Sequence, residues 1–373
     1  MNSIKDKIIR TYEYVKKRPT LAVFIGSLIF ILAIVILFTY SNVLVYNYNP
    51  NRSGQITGLG KGQPILPALV QYDSGHYKDV AIYGYNKDIN AAFLPLFPLS
   101  IRLVHKFILN IDLASLIAAW SFLVLAVIAF YKFIESEIEK HNLKFSPYIL
   151  LGLIAIFPTS FYFAIPYTES LFLLLSSLAF LAYRRNLYYV SAIFAFLASL
   201  TKYQGLVFGL YVLVDVIYKK RDFIRRSIPM IFAGLGFLSY MYYLYVKYKN
   251  PFEFLKVEKY WGRDYGNILM NLVHSFRPEY IWYIPVIVIA LYGVYKYLER
   301  PFFWYGLVYL LLPLSNGRID ALNRYVLTDL PLFLGLAAVY LAWNKVYRFM
   351  YVFGSGYLLC MSIMLFANSY LVA

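Results

Sequence analysis

The chain has 373 residues, of which 61% are hydrophobic, 20% aromatic and only 14% charged. Soluble domains carry about 25% charged residues, so this composition excludes an ordinary soluble protein. The formal net charge of +16 is explained by basic loops held near anionic lipid, and because the sequence has no basic-aromatic module we expect no nucleic-acid partner.

Residues 21–39 form the first long apolar segment and contain no charged residue. A helix of this length, at 1.5 Å per residue, crosses about 30 Å of hydrocarbon. The basic cluster before it suggests a signal peptide, but the segment is too long and lacks a small-x-small cleavage site. We therefore interpret it as a retained membrane helix with a cytoplasmic N-terminus. Similar segments recur to the C-terminus, which predicts an all-α polytopic membrane protein.

Eleven further apolar segments follow in chain order. They are 93–109, 111–133, 147–163, 169–184, 187–203, 204–218, 227–247, 279–297, 302–314, 325–343 and 349–371. If all twelve segments crossed, the basic cluster at 219–226 would lie outside, against the positive-inside rule. Segment 93–109 contains two prolines and the cations Arg102, His105 and Lys106, each costing about 2.5–3.5 kcal/mol at the bilayer centre. We predict that it is re-entrant or interfacial, which leaves about 11 transmembrane helices.

We interpret residues 1–373 as a single membrane domain. The predicted topology places several of its polar segments on the extracytoplasmic face. The first outer loop is 43–92, with short surface helices, and the second is 248–278. The turns at 164–170, 201–205 and 315–325 join them, while the basic clusters face the cytoplasm. The number of crossings was predicted from the basic clusters alone. The polar motifs therefore support this topology independently, because it brings all of them to the same face.

Asp73 opens a predicted short amphipathic helix in the first outer loop. His76, Tyr77 and Val80 share its face at helical spacing. A carboxylate at a helix start commonly serves as an N-cap, and the residue alone favours that structural role. The alternative is a general base that takes a proton from an acceptor hydroxyl at the membrane surface.

Three further charged residues lie at the outer ends of apolar segments. Glu169 is either a first-turn acid favoured by the helix dipole or a group that orients His76, a ring hydroxyl or the acceptor. Lys202 is either a snorkelling lysine or a phosphate ligand. Arg324, which with Tyr325 is predicted to begin a membrane helix, suits bidentate phosphate contact.

Metal and disulfide chemistry are not indicated by the sequence. The four histidines show no ligand pair at helical spacing, and Cys360 is the single cysteine. We therefore predict no metal and no cofactor.

The motifs occur in an order that resembles a known family. "YDSGHYKDVAIYGY", "AAFLPLFPL", "FPTSFYFAIPYTESLF", "ASLTKYQGL" and "NRYVLTDLPLFL" follow one another between residues 69 and 335. This set is similar to the PIG-V-like mannosyltransferases of the GT-C superfamily. Relatives usually carry tryptophan before the loop aspartate, where this chain has Tyr72, so sugar preference is open.

The resemblance implies a GT-C-like bundle that takes a sugar, mannose by family, from a polyprenyl-phosphate carrier and inverts its anomeric centre. Asp73 matches the catalytic aspartate, and direct displacement at the sugar C1 would release the lipid phosphate towards Lys202 and Arg324. The implied acceptor is a hydroxyl of a lipid or glycan. The expected substrate-binding residues are Tyr72, His76, Tyr77, Tyr167, Glu169, Lys202, Arg324 and Tyr325.

Two other classes of protein compete with this interpretation. A secondary transporter or lipid flippase also carries charged residues in membrane segments, although the sequence has no internal repeat. A membrane scaffold without catalysis would use Asp73 and Glu169 only as helix caps.

Overall fold

The computed structural model describes residues 18–44, 65–220, 222–261, 280–315 and 322–368, together with residues 273, 276 and 319. These residues form helices and turns, with no strand among them. The helices are α1 Pro19–Leu44, α2 Ile65–Leu69, α3 Asp73–Tyr83, α4 Leu96–His105, α5 Ile111–His141, α6 Pro147–Ala155, α7 Glu169–Arg184, α8 Tyr188–Ser199, α9 Val207–Lys219, α10 Phe223–Tyr248, α11 Glu253–Val257, α12 Tyr280–Tyr297, α13 Arg300–Leu314, α14 Leu322–Val326, α15 Leu330–Ala342 and α16 Lys345–Ala367. Single 3₁₀ turns span Asp88–Ala92, Ser160–Ala164, Tyr203–Leu206 and Glu258–Trp261.

Polar residues set several helix starts. The side chains of Asn110, Ser146 and Asn344 accept hydrogen bonds from the first-turn amides of α5, α6 and α16. These amides have no partner inside the helix, so a side-chain oxygen satisfies them. Helix α5 ends at Asn142 in the left-handed conformation, which asparagine adopts more readily than most residues.

Among the residues that the structure describes, four helices are long and apolar enough to cross a membrane: α1 from Pro19 to Ser41, α5, α10 and α16. Helix α5 alone, with 31 residues, is about 45 Å long at 1.5 Å per residue. Four shorter apolar helices have 10 to 17 residues: α4, α8, the Ile281–Tyr297 part of α12, and α15. The chain is thus an all-helical protein of membrane type, and the predicted number of crossings stays a prediction.

The segment at 93–109 contains a helix of only ten residues, α4. A helix of ten residues is about 15 Å long, which is about half the thickness of the hydrocarbon layer. This length fits an element that does not cross the membrane. Its Phe97, Pro98 and Ile101 are buried, while Leu99 and Leu103 are more than half exposed. Its position relative to a membrane stays a prediction.

Two predicted membrane segments are not single helices. Segment 147–163 consists of α6, a break around Pro158, and a 3₁₀ turn, because proline disfavours helical backbone in the residue before it. Segment 325–343 is divided between α14 and α15, and Pro331 occupies the first turn of α15. The prediction that Arg324 and Tyr325 begin a membrane helix was therefore wrong, since both lie in the separate helix α14.

The core is a bundle in which α7 packs between α5 and α8, α8 packs on α10, and α12 packs on α15. Helices α12 and α15 meet at Gly293 and Gly335, where a Cβ on either glycine would overlap the backbone of the other helix. Small residues let membrane helices approach this closely, which increases van der Waals contact.

The bundle has two polar ends, which α7 connects. Glu169 is the first residue of α7 and Arg184 the last, so about 23 Å of helix separates them. We call the end that holds Asp73, Glu169, Lys202 and Arg324 the site end. The basic end holds Lys140, Arg184, Lys219, Arg226 and Glu299.

Candidate active site

Two carboxylates and two cationic side chains form a connected group at the site end, which we call the acid–cation quartet. Arg324 Nη1 donates to Asp73 Oδ2 at 2.7 Å, and Lys202 Nζ donates to Glu169 Oε1 at 2.7 Å. Arg324 Nε lies 3.4 Å from the same Glu169 oxygen. Residues more than 250 positions apart in sequence thus meet in one cluster with no net charge.

Burial differs across the quartet. The Glu169 side chain is fully buried, and those of Lys202 and Arg324 are nearly so. The Asp73 side chain keeps 24% of its surface exposed. Asp73 is therefore the member of the quartet that solvent and an acceptor hydroxyl reach most easily.

The backbone before Asp73 has an uncommon conformation. Tyr72 has φ 53° and ψ −119°, and its side chain makes no capping hydrogen bond. A bulky residue at positive φ costs roughly 1–3 kcal/mol and is typical of functional sites. Asp73 itself is the first helical residue, and its carboxylate binds Arg324, so its described contact is an ion pair across the site.

We predicted that the surface helix presents Asp73, His76 and Tyr77 together, but Tyr77 is buried and His76 is only partly exposed. His76 Nδ1 lies 3.0 Å from Asn90 Oδ1, and its ring stacks on Phe93. Tyr77 is buried, with its ring edge-on to Phe93 and Phe97. Tyr77 is covered by α4 through Phe97, whereas His76 contacts the segment between α3 and α4.

The Tyr77 phenol lies close enough to the quartet to be influenced by its charges. Burial raises the pKa of this phenol, and the carboxylates of Asp73 and Glu169 raise it further. The phenol therefore remains protonated at neutral pH, so Tyr77 does not serve as the base.

The segment before α7 supplies Tyr167 and Glu169. The Tyr167 hydroxyl donates to the Gln71 carbonyl at 3.4 Å, next to Tyr72, and its ring centre lies 5.3 Å from the Arg324 guanidinium carbon. Tyr167 thus joins α7 to the start of α3. The described ion pairs of Glu169 are with Lys202 and Arg324, rather than with His76 as one of our expectations had it.

Lys202 occupies a tight turn between α8 and α9. Gly205 closes this turn, and a Cβ at this glycine would lie 2.5 Å from the Ser199 backbone nitrogen. No other residue fits without moving the turn, which explains the spacing of lysine and glycine in "TKYQG". The Lys202 Nζ atom also lies 5.4 Å from the centre of the Tyr325 ring.

Arg324 is held by α14 from the opposite side. The Thr159 hydroxyl donates to the Asn323 carbonyl at 2.8 Å, which ties α14 to the turn after α6. The Tyr325 ring stands over Lys202, and its centre lies 5.4 Å from the Arg324 guanidinium carbon. Aromatic faces stabilise cations at such distances, by about 2 kcal/mol or more where water is excluded.

Sequence reasoning missed two buried polar residues of the motifs quoted above. Tyr162 completes the aromatic surround of Arg324, with its ring centre 5.7 Å from the guanidinium carbon. Asp329 is fully buried, and no described side chain forms an ion pair or a hydrogen bond with its carboxylate. Both residues belong to motifs quoted above. A tyrosine or an acid in an apolar segment does not, however, indicate which residues it will contact in the folded protein.

The described residues include no group of three or more histidine, cysteine, aspartate or glutamate side chains that could hold a metal ion. Comparison with protein-family models and with curated proteins found no match. The resemblance to the PIG-V-like family therefore depends on the ordered motifs alone. The site thus contains a partly exposed carboxylate, Asp73, in a cluster with a buried carboxylate and two nearly buried cations.

Proposed function

We propose that this protein is a membrane glycosyltransferase of the GT-C type. It transfers a sugar, mannose by family resemblance, from a polyprenyl-phosphate carrier to a hydroxyl of a lipid or glycan acceptor. The observation that carries the proposal is the acid–cation quartet, in which Asp73 pairs with Arg324 and Lys202 joins the cluster through Glu169. A transfer of this kind needs a base for the acceptor hydroxyl on one side of the sugar and cations for the leaving phosphate on the other, and the quartet contains both kinds of group.

In the proposed reaction the acceptor oxygen forms a bond to the sugar C1 on the face opposite the phosphate. Asp73 takes the proton of the acceptor hydroxyl, and the C1–O bond breaks with its electron pair going to the phosphate. The anomeric centre inverts. Lys202 and Arg324 stabilise the charge that grows on the leaving phosphate, which lowers the barrier because the interaction strengthens in the transition state.

Glu169 serves in this proposal as the buried counter-ion of the two cations. Two positive charges at this depth would be costly without a carboxylate between them. Glu169 thus holds Lys202 and Arg324 in place for the phosphate, and Tyr72, His76, Tyr77, Tyr167 and Tyr325 shape the surrounding wall. His76 and Tyr77 act through their packing, since they contact Asn90 and Phe93.

An apolar cavity of about 260 Å³ between α1, α5 and α6 supports the lipid part of the proposal. Phe163 and Leu173 belong to its wall. Phe163 follows Tyr162, and Leu173 lies one helical turn after Glu169 on the same face of α7. We propose that a hydrocarbon chain of the carrier occupies this cavity, whose wall includes a residue one helical turn from Glu169.

The proposed topology has about eleven crossings, a cytoplasmic N-terminus and an extracytoplasmic site. The positive-inside rule supports this orientation, because the basic end of the bundle holds lysines and arginines from several different loops.

The test is incubation of purified protein with labelled polyprenyl-phosphate mannose and a membrane extract, followed by identification of the labelled product. We expect label in a new covalent product. Reconstituted vesicles separate the alternatives: movement of the donor lipid without covalent change supports a flippase or transporter, and the absence of both events supports a scaffold. Either of these results would contradict the proposed transfer.

A further inference from the structure

We propose that Arg324 changes its partner in each catalytic cycle, from Asp73 to the phosphate of the lipid carrier. The inference rests on the proposed function and adds a positioning role for Arg324 and an order of substrate binding. Arg324 Nη1 donates to Asp73 Oδ2 at 2.7 Å. One oxygen of the proposed base is therefore engaged with a cation, and that contact must be given up if Arg324 is to bind the phosphate through the same group.

The contacts of Arg324 with its two carboxylates are unequal. The bond to Asp73 is short, whereas Nε stands 3.4 Å from Glu169 Oε1 and forms no hydrogen bond with it. The other Glu169 oxygen, Oε2, is buried and has no hydrogen-bond partner among the described residues. Glu169 therefore has unused acceptor capacity that can retain Arg324 when the bond to Asp73 is broken.

The difference in exposure between the two carboxylates makes it easier for Arg324 to leave Asp73 than to leave Glu169. Asp73 has 24% of its side chain exposed, so water can replace Arg324 around its carboxylate. Glu169 is fully buried and has no such substitute, so it must keep its cations. When an anionic phosphate arrives, the guanidinium is expected to leave Asp73 and to remain with Glu169.

The charges of the reaction change in the same direction. The carrier phosphodiester has one negative charge before transfer, and the released phosphomonoester has up to two. Asp73 loses its negative charge when it accepts the acceptor proton. One unit of negative charge thus moves from Asp73 to the phosphate, and Arg324 follows it.

Two consequences follow for the cycle. Donor must bind before acceptor, because the phosphate removes Arg324 from the carboxylate that the acceptor hydroxyl requires. After transfer, loss of the proton from Asp73 restores its charge, and the carboxylate then competes with the phosphate for Arg324. This competition promotes release of the carrier phosphate.

The test measures the affinity of detergent-purified protein for polyprenyl monophosphate, the proposed leaving group. Four proteins are compared: wild type, Asp73→Asn, Arg324→Gln and the double variant. Asparagine reproduces the neutral, protonated state of Asp73, so we expect Asp73→Asn to bind about tenfold more tightly than wild type. In the Arg324→Gln background the same change is expected to alter affinity less than about twofold, since the competition no longer exists.

The double variant separates partner exchange from simple loss of a negative charge. A general electrostatic effect would raise affinity equally in both backgrounds, and that result would overturn the inference. Equal binding by wild type and Asp73→Asn would also overturn it while leaving the proposed function intact. If wild type binds no polyprenyl phosphate, both proposals fail. Asp73→Ser removes the same charge with a smaller side chain and replaces Asp73→Asn if that variant does not fold.

Discussion

The acid–cation quartet and the ion pairs around Arg184 lie at opposite ends of α7, and they use their hydrogen-bonding groups to different extents. We call the second group the Arg184 network: Glu137, Lys140, Arg184 and Glu299. Arg184 donates to both oxygens of Glu137, at 2.6 and 2.8 Å, and to Glu299 at 2.8 Å. Lys140 contacts the second Glu299 oxygen at 2.7 Å.

All four carboxylate oxygens of the Arg184 network thus have a cation partner, whereas the quartet leaves one Glu169 oxygen unused. The network links α5, α7 and the residue before α13, and its ion pairs tie these helices together. The quartet has the same residue types, but the Arg324 Nε–H has no hydrogen-bond partner among the described residues and is a donor that a further anion could use. A fully paired ion cluster fits the structural role that we assign to the network, and the free donor fits the phosphate site that we propose for the quartet.

The largest effect on stability is expected at the Arg184 network. Arg184→Gln leaves the fully buried Glu137 without its guanidinium, which should lower the free energy of unfolding by about 3–5 kcal/mol. Denaturant unfolding in detergent measures this change. Transfer per folded molecule should stay close to wild type. A loss of transfer in well-folded Arg184→Gln would contradict the division between the two regions.

Arg324→Gln is expected to show the opposite pattern. Asp73 is partly solvated and Glu169 retains Lys202, so stability should fall less than in Arg184→Gln. The rate of transfer should fall by about 10²–10³-fold, the usual result of removing one group that stabilises a developing oxyanion. Transfer assays with purified protein measure the rate. Retention of a tenth of the wild-type rate would exclude Arg324 from the phosphate site.

The turn that holds Lys202 offers a more moderate test. Gly205→Ala places a methyl group against the α8 backbone and should shift Lys202, with a transfer loss of about tenfold or more, since small misplacements of a catalytic group are costly. Gly234→Ala is the matched control because a Cβ there meets nothing within 4 Å. Equal activity of the two variants would mean that the turn does not position Lys202.

The smallest expected effect concerns acid stability. Burial alone would raise the pKa of Glu299, but Arg184 and Lys140 outweigh it and lower this pKa to about 2. A lowered pKa in the folded state adds stability above the ordinary value near 4.5, and this stability is lost as pH falls towards 2. Glu299→Gln should therefore flatten the decline of thermal stability between about pH 4.5 and pH 2.

The control for this measurement is Glu135→Gln. The pair of Glu135 with Lys132 is exposed and should contribute little. If the two variants respond to acid in the same way, Glu299 does not support the network as described.

The sequence was sufficient to predict the class of fold and the members of the quartet. Long apolar segments predicted helices because period and length decide that structure locally. Glu169, Lys202 and Arg324 were identified as charges at the predicted outer ends of apolar segments, and Asp73 as the first residue of a helix in the first outer loop. Their contacts were not predicted, because residues 251 positions apart meet only after the whole bundle has packed.

The errors also have local causes. Pro158 and Pro331 divide segments that looked continuous when only hydrophobicity was considered. His76 and Tyr77 shared a predicted face with Asp73, but helical spacing does not say whether a face meets solvent or another helix. Tyr77 is buried because α4 covers it. The ion pairs of the Arg184 network were not predicted from the sequence. The sequence analysis treated the basic residues of this region only as charges that face the cytoplasm.

The central claim is that Asp73 is the base of a sugar transfer, and the same helix provides a matched control. Asp79 also lies on α3 and pairs with a lysine, and its side chain is 25% exposed, against 24% for Asp73. Transfer from labelled polyprenyl-phosphate mannose should be measured for Asp73→Asn and Asp79→Asn after both are shown to fold. We predict that Asp73→Asn abolishes transfer and that Asp79→Asn retains it. Near-normal turnover by Asp73→Asn would contradict the account.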